Sequence, residues 1–136
     1  MSAPGVTVCI VTHNAAADLP GCLEAVGRLE HRPLEIVVVD CASGDGSLEV
    51  ARRHAPPGVP LQAIGLGETR GFTGGMNAAL AASDAPWALA LNADARPAPD
   101  YVGRLLARAA SHPELRAGTL RSIIRQSGLP VEVFRH

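Results

Sequence analysis

Lysine is absent from this 136-residue chain; all 12 basic side chains are arginine. Together with abundant Ala, Gly and Pro, that absence fits coding bias in a GC-rich genome and carries no mechanism. Net charge is nearly absent as well, 12 basic against 13 acidic side chains. No global electrostatic pull toward nucleic acid or an anionic membrane is therefore expected, and nucleic acid is not an expected partner. Cysteine is sparse. Cys9, Cys22 and Cys41 are odd in number and show neither CxxC nor Cys/His zinc spacing. This excludes a disulfide framework and a structural zinc site and favours reduced thiols in a cytoplasmic protein. Long apolar runs are missing too: Val6 to Val11 falls far short of the ~20 residues needed to cross a bilayer. Met1 to Gly5 supplies no basic flank before that run, so no signal peptide is expected. The expected location is cytoplasmic, including peripheral attachment at the inner face of a membrane.

What is present is a core and an alternation. Hydrophobic residues make up 47% of the chain, enough for one ordinary domain with a real interior. Val6 to Val11 and Leu34 to Val39 read as buried strands, rich in β-branched residues and without alternating polarity. Leu61 to Leu66 and Trp87 to Leu91 read as two more. Between them, Asp18 and Pro20 open a helix whose Leu19, Cys22, Leu23, Val26 and Leu29 share one face. Ser47 to His54 is a short helix ended by Pro56 and Pro57. A glycine-rich stretch, Gly65 to Gly75, leads into a helix over Asn77 to Ala82. Pro97 and Pro99 precede a last amphipathic helix bearing Tyr101, Val102, Leu105, Leu106 and Ala109. Strand–helix alternation with doubly buried strands predicts an α/β fold, a Rossmann-like three-layer sandwich with a mainly parallel sheet. Ile123 and Ile124, then Gln126-Ser-Gly128, then Leu129, Val131, Val133 and Phe134 predict a C-terminal β-hairpin with a glycine turn. The expected division is an α/β domain over 1–117 and the start of a second region over 118–136.

Parallel sheets bind ligands at the carboxyl ends of their strands. Those ends carry Thr12-His13-Asn14, Asp40, and Asn92-Ala93-Asp94, polar groups following directly on apolar runs. Helix capping and turn formation account for Asn14, Asp40 or Ser43 taken singly about as well as ligand binding does. For all three strand ends together, capping is the weaker account. The loops exclude several chemistries: there is no GxGxxG, no GxxxxGK[ST] and no GxSxG. A nucleotide bound here would be held by side chains and a metal.

Four stretches carry a specific resemblance: Val6-Thr-Val-Cys-Ile-Val-Thr-His-Asn14; Leu34-Glu-Ile-Val-Val-Val-Asp-Cys-Ala-Ser-Gly-Asp-Gly-Ser47; Arg70-Gly-Phe-Thr-Gly-Gly-Met-Asn77; and Leu89-Ala-Leu-Asn-Ala-Asp94. In this order and spacing the chain resembles a family 2 glycosyltransferase of the GT-A fold, most like its rhamnosyltransferase-type members. The resemblance spans residues 5 to 125. It implies transfer of a sugar from a dTDP-, UDP- or GDP-linked donor to a glycan or lipid-linked acceptor hydroxyl, with inversion, in cell-wall or polysaccharide biosynthesis.

It also implies roles. Thr12 and Asn14 flank His13, which stands where the family often has Tyr near the base. Asp40 would accept hydrogen bonds from base or ribose. Asp45 reads as a helix cap. Arg70 would bind diphosphate oxygens in bidentate fashion. Gly71, Gly74 and Gly75 would allow close backbone approach ahead of a helix N-terminus, and Asn77 would open that helix beside the sugar. Asn92-Ala93-Asp94 matches the family's Asp-x-Asp metal motif, with Asp94 as direct ligand of Mg²⁺ or Mn²⁺ and Asn92 near the sugar or a metal-bound water.

An inverting transfer also needs a base on the acceptor. Glu132 is the only carboxylate after Glu114, and its place does not match the family's base motif, so no catalytic base is assigned. The competing readings are a truncated or non-catalytic nucleotide-binding module, and a compact form that recruits its acceptor half, for which a homodimer through open strand edges is expected. A flavodoxin-like domain binding flavin or phosphate without a divalent metal is a third class; the Asn-x-Asp and Gly-Gly-x-Asn blocks give it no support.

Overall fold

The computed structural model describes residues 4–68, 71–110, 121–126 and 129–135. The elements run β1 (Val6–Thr12), α1 (Leu19–Gly27), β2 (Leu34–Cys41), α2 (Ser47–Arg53), β3 (Leu61–Leu66), α3 (Gly71–Ala82), β4 (Trp87–Asn92), α4 (Tyr101–Ala110), β5 (Arg121–Gln126) and β6 (Leu129–Arg135). They build one six-stranded sheet in the order β3-β2-β1-β4-β6-β5. The first four strands are parallel, with Thr12 beside Asp40 and Val11 beside Asn92. The expected hairpin forms: β5 and β6 pair antiparallel, Gln126 opposite Leu129, and β6 runs antiparallel along β4. The hairpin therefore extends the sheet that carries the strand ends. Residues 111–120, where the domain division was expected, lie outside the described residues.

Alternation along each strand sorts the core into two layers. Val6, Val8 and Ile10 of β1 join Leu34, Ile36 and Val38 of β2 and Leu89 and Leu91 of β4 under α1, α2 and α4. Cys9 and Val11 join Val37, Val39, Cys41, Ala88 and Ala90 under Met76 and Ala79 of α3. Strands buried on both faces cannot alternate apolar with polar, which is why β1 and β2 read as unbroken hydrophobic runs.

One element departs from expectation. Helix α3 begins at Gly71, six positions before Asn77, so Gly71 to Gly75 of the glycine-rich stretch is helical and Asn77 lies in the second turn. Each interior glycine costs a helix about 1 kcal/mol in intrinsic preference, which made this segment read as a loop. Packing overrides that preference. A Cβ on Gly75 would stand 2.6 Å from Val11 Cγ1 and 3.1 Å from Cys41 Sγ, so α3 can lie this close to β1 and β2 only with glycine there.

Candidate functional site

In the sheet order, β1 lies between β2 and β4. The chain leaves β1 toward β2 through α1 on one face, and enters β4 through α3 on the other. The connections thus diverge between β1 and β4, opening a crevice beyond the carboxyl ends of those two strands. Thr12 ends β1, Asp40 lies at the end of β2, and Asn92 ends β4. The topology brings all three expected strand ends to one rim.

Thr12 is 2% exposed, and among the described residues its Oγ1 has no hydrogen-bond partner. A buried hydroxyl left unpaired costs about 1–3 kcal/mol, and this one sits at the crevice floor. Asp40 is 7% exposed. Its Oδ2 accepts the Ser43 amide at 3.2 Å and its Oδ1 accepts the Ser43 hydroxyl. Each oxygen keeps a second lone pair for a further donor. His13 is exposed on the rim. Its Nδ1 lies 2.6 Å from the Cys41 carbonyl oxygen, an acceptor, so Nδ1 carries the proton and donates it. Nε2 then accepts from Asn14 Nδ2 at 3.2 Å.

Asn14 adopts φ +51°, a left-handed conformation that asparagine tolerates better than most residues. Its Oδ1 accepts the Gly44 amide at 2.8 Å, and its own amide donates to Ser43 Oγ at 2.8 Å. These partners are internal to the protein. Gly46 stands at the N-cap of α2 with φ +80° and no side-chain cap bond, which corrects the helix-cap expectation for Asp45. Asp45 Oδ1 accepts from the amide and hydroxyl of Ser47 at the start of α2, and its Oδ2 accepts the Ala16 amide at 3.0 Å across the gap between loops. The Ser47 hydroxyl, then the Ala16 amide, holds the Asp45 carboxyl below its ordinary range.

On the far side of the crevice, Asn92 is half-buried, and its carbonyl oxygen accepts the Ala95 amide at 3.0 Å and the Cys22 thiol at 3.6 Å. Asp94 is exposed in the turn after β4. Among the described residues no hydrogen bond or ion pair engages its carboxylate; only its carbonyl oxygen is contacted, by Arg96 Nη1 at 3.5 Å. The Arg96 guanidinium lies over α1, 2.3 Å from where a Gly21 Cβ would stand. Beneath it, burial pushes the Cys22 thiol up to about 12, Arg96 pulling it down and Asp94 pushing it up.

Gly71 is exposed with φ +68° and open space around it, at the start of α3. Gly74 is half-buried and Asn77 exposed. Gly75 faces the sheet, not the crevice, and its need for glycine arises from Val11 and Cys41. The expectation that Asn77 opens a helix is corrected, since α3 starts at Gly71. Arg70 lies outside the described residues. Sequence reasoning missed Ser47 and Gly44 as cross-loop partners. Only the Ser-Gly-Asp-Gly-Ser run, dense in side chains that bond backbone amides, signals them.

A cavity of about 310 Å³ lies at the opposite, amino ends of the strands among Gly5, Leu34, Glu35, Pro60 and Asp84. Its Glu35 already accepts from Thr7 Oγ1 at 2.5 Å and the Asp84 amide at 3.3 Å. The uncommitted groups, the Thr12 hydroxyl and the Asp94 carboxylate, stand instead at the carboxyl ends.

Comparison with known proteins bears on the family and the fold. The family model for "Glycosyl transferase family 2" matches residues 7–133. The chain belongs to glycosyl transferase family 2. A PGL/p-HBAD biosynthesis glycosyltransferase of Mycobacterium tuberculosis is 34% identical over 94 residues, 69% of this family 2 chain and 37% of the relative. The succinoglycan biosynthesis protein ExoO of Rhizobium meliloti is 31% identical over 106 residues, 78% of this chain and 30% of that one. The chain thus spans about a third of the length of these relatives. A mannosyltransferase from Pyrobaculum calidifontis, solved with GDP-Man and Mn²⁺, superposes with a TM-score of 0.77 at 26% identity, covering 98% of this chain and 47% of that one. The fold is GT-A.

Asp94 is the residue at this crevice that could hold a divalent cation. Among the described residues no three His, Cys, Asp or Glu side chains converge on a metal-sized site, which argues against a cage built wholly of protein ligands. A lone exposed carboxylate suits Mg²⁺ or Mn²⁺, hard ions held by one or two carboxylates together with substrate phosphates. Among the described residues no helix is long and apolar enough to cross a membrane.

Proposed function

We propose that this chain forms the donor-binding part of an inverting glycosyltransferase that takes a sugar from a nucleoside-diphosphate carrier with a divalent cation. The observation that carries the reading is Asp94: an exposed carboxylate, uncommitted among the described residues, across the β1/β4 crevice from Asp40 and the unpartnered Thr12 hydroxyl. In this reading Asp40 accepts hydrogen bonds from base or ribose, and His13 offers an imidazole face to the base. Arg70 binds diphosphate oxygens, with Gly71 and Gly74 leaving room for them. Asn77 and Asn92 face the sugar. Asp94 holds Mg²⁺ or Mn²⁺, and the bound ion supplies neutralisation of the diphosphate leaving group. The acceptor, a glycan or lipid-linked hydroxyl, meets the region that begins at 118–136; no residue of this chain is assigned as its base. A homodimer through the open sheet edges and a cytoplasmic location, peripheral at the membrane, belong to the same proposal.

Calorimetry with UDP, GDP and dTDP, with and without Mn²⁺, tests it. Binding of at least one nucleotide is expected to require Mn²⁺. It should weaken about tenfold to a hundredfold or more in Asp94→Ala, since loss of even an outer partner of a metal site costs that much. Metal-independent binding, or binding unchanged in Asp94→Ala, would sink the assignment.

A further inference from the structure

We infer that Asn14, Ser43 and Asp45 are positioning residues, a clasp between two loops that sets the Asp40 carboxylate for the nucleotide without touching the donor. The inference rests on the donor-binding reading above. Three consecutive amides of the β1–α1 loop donate into the β2–α2 loop: Asn14 to Ser43 Oγ at 2.8 Å, Ala15 to Ser47 Oγ at 3.1 Å, and Ala16 to Asp45 Oδ2 at 3.0 Å. Two bonds return. The Gly44 amide donates to Asn14 Oδ1 at 2.8 Å, and His13 Nδ1 donates to the Cys41 carbonyl oxygen at 2.6 Å.

Ser43 is the hub. Its hydroxyl oxygen accepts from Asn14 while its proton goes to Asp40 Oδ1, and its amide holds Asp40 Oδ2. One residue thus orients both oxygens of the carboxylate, and the first loop orients that residue. Asp45 Oδ1 fastens Ser47 at the start of α2, and its second oxygen reaches the other loop. Asn14 has its carbonyl oxygen and an amide proton committed inside the clasp, which leaves it little to offer a ligand. A carboxylate that recognises a base or ribose gains from being held in one rotamer by neighbours whose own positions are fixed.

The test is calorimetry of the 136-residue chain with UDP, GDP and dTDP in Mn²⁺, on variants made singly and in an Asp40→Asn background. Asn14→Gly keeps the left-handed backbone and deletes the side chain. Ser43→Ala deletes the hub, and Asp45→Asn is the gentlest change. Each is expected to weaken the preferred nucleotide about tenfold, the scale of one lost hydrogen bond, and to narrow the spread among the three nucleotides. In the Asp40→Asn background the same changes should cost almost nothing, because residues acting through one group are not additive. Hydrogen exchange supplies a second readout: the amides of Asn14, Ala15 and Ala16 should lose protection together in Ser43→Ala and Asp45→Asn. Equal losses in both backgrounds, or unchanged binding in folded variants, overturn the clasp and leave the donor site standing. No nucleotide binding by the unaltered chain overturns the donor site and the clasp with it.

Discussion

Gly75 shows how a residue's neighbours reassign it. In the sequence it belongs to a glycine cluster ahead of a helix, where flexibility and phosphate approach are the natural readings. In the fold a Cβ there would press on Val11 Cγ1 at 2.6 Å and on Cys41 Sγ at 3.1 Å. Cys41 is buried and Val11 half-buried against the α3 layer, so room for an added methyl is short. Gly75→Ala is therefore expected to destabilise the protein by about 1–3 kcal/mol, the usual cost of overpacking. Adding Val11→Ala should recover part of that loss, since the two side chains compete for one space. Denaturant midpoints of the single and double variants check this; an additive double variant would count against the close contact. Ala42 offers the opposite case. It sits at φ +53° in the loop after β2, where a Cβ is strained by roughly 1 kcal/mol. Ala42→Gly should accordingly leave stability equal or slightly raised, despite glycine's more flexible unfolded chain.

At the scale of elements, the strands and helices over the hydrophobic layers were legible because their periodicity is the packing. β3 over Leu61–Leu66 and α2 from Ser47 match the residues that pattern marks out. The start of α3 was not legible, because glycine's local preference and the sheet's demand for close approach point in opposite directions. The cross-loop bonds were not legible either. Asn14 and Asp45 both have plausible partners within their own loops, and only the parallel pairing of β1 with β2 brings the loops together. That clasp carries a pH signature. The Asp45 carboxyl is held below the ordinary carboxylate range in the fold. A group depressed by folding stabilises the native state above its unfolded value, and that contribution is lost as pH falls through the folded value. Acid unfolding of the native chain should thus steepen below about pH 4, the ordinary carboxylate range, by more than in Asp45→Asn. The two proteins should differ in stability at neutral pH and converge in acid. Parallel curves would remove Asp45 from the account.

For the whole molecule, strand order decides where function can sit, and order is what pattern alone does not give. The alternation announced a parallel sheet and the polar strand ends, but not that β1 lies between β2 and β4, which brings Thr12, Asp40 and Asn92 to one crevice. The same arrangement places the cysteines on both sides of one sheet. Cys9 and Cys41 lie in the α3 layer and Cys22 lies under α1, all three free and buried. Cys9 and Cys22 are 0% exposed, and burial pushes each thiol up to about 12, so neither forms a reactive thiolate in the native state near neutral pH. Labelling must await opening of the layer that covers each one. If the sheet couples both layers into one cooperative unit, Cys9 and Cys22 will be alkylated at a single common rate that follows global stability in low denaturant. Cys41, next to the crevice loops, can be exposed by opening of those loops alone and should label at that rate or faster. Mass spectrometry of pulse-alkylated protein resolves the three sites. Separate rates for Cys9 and Cys22, with different denaturant dependence, would mean that the two layers open independently and that the six-stranded sheet is not the cooperative core.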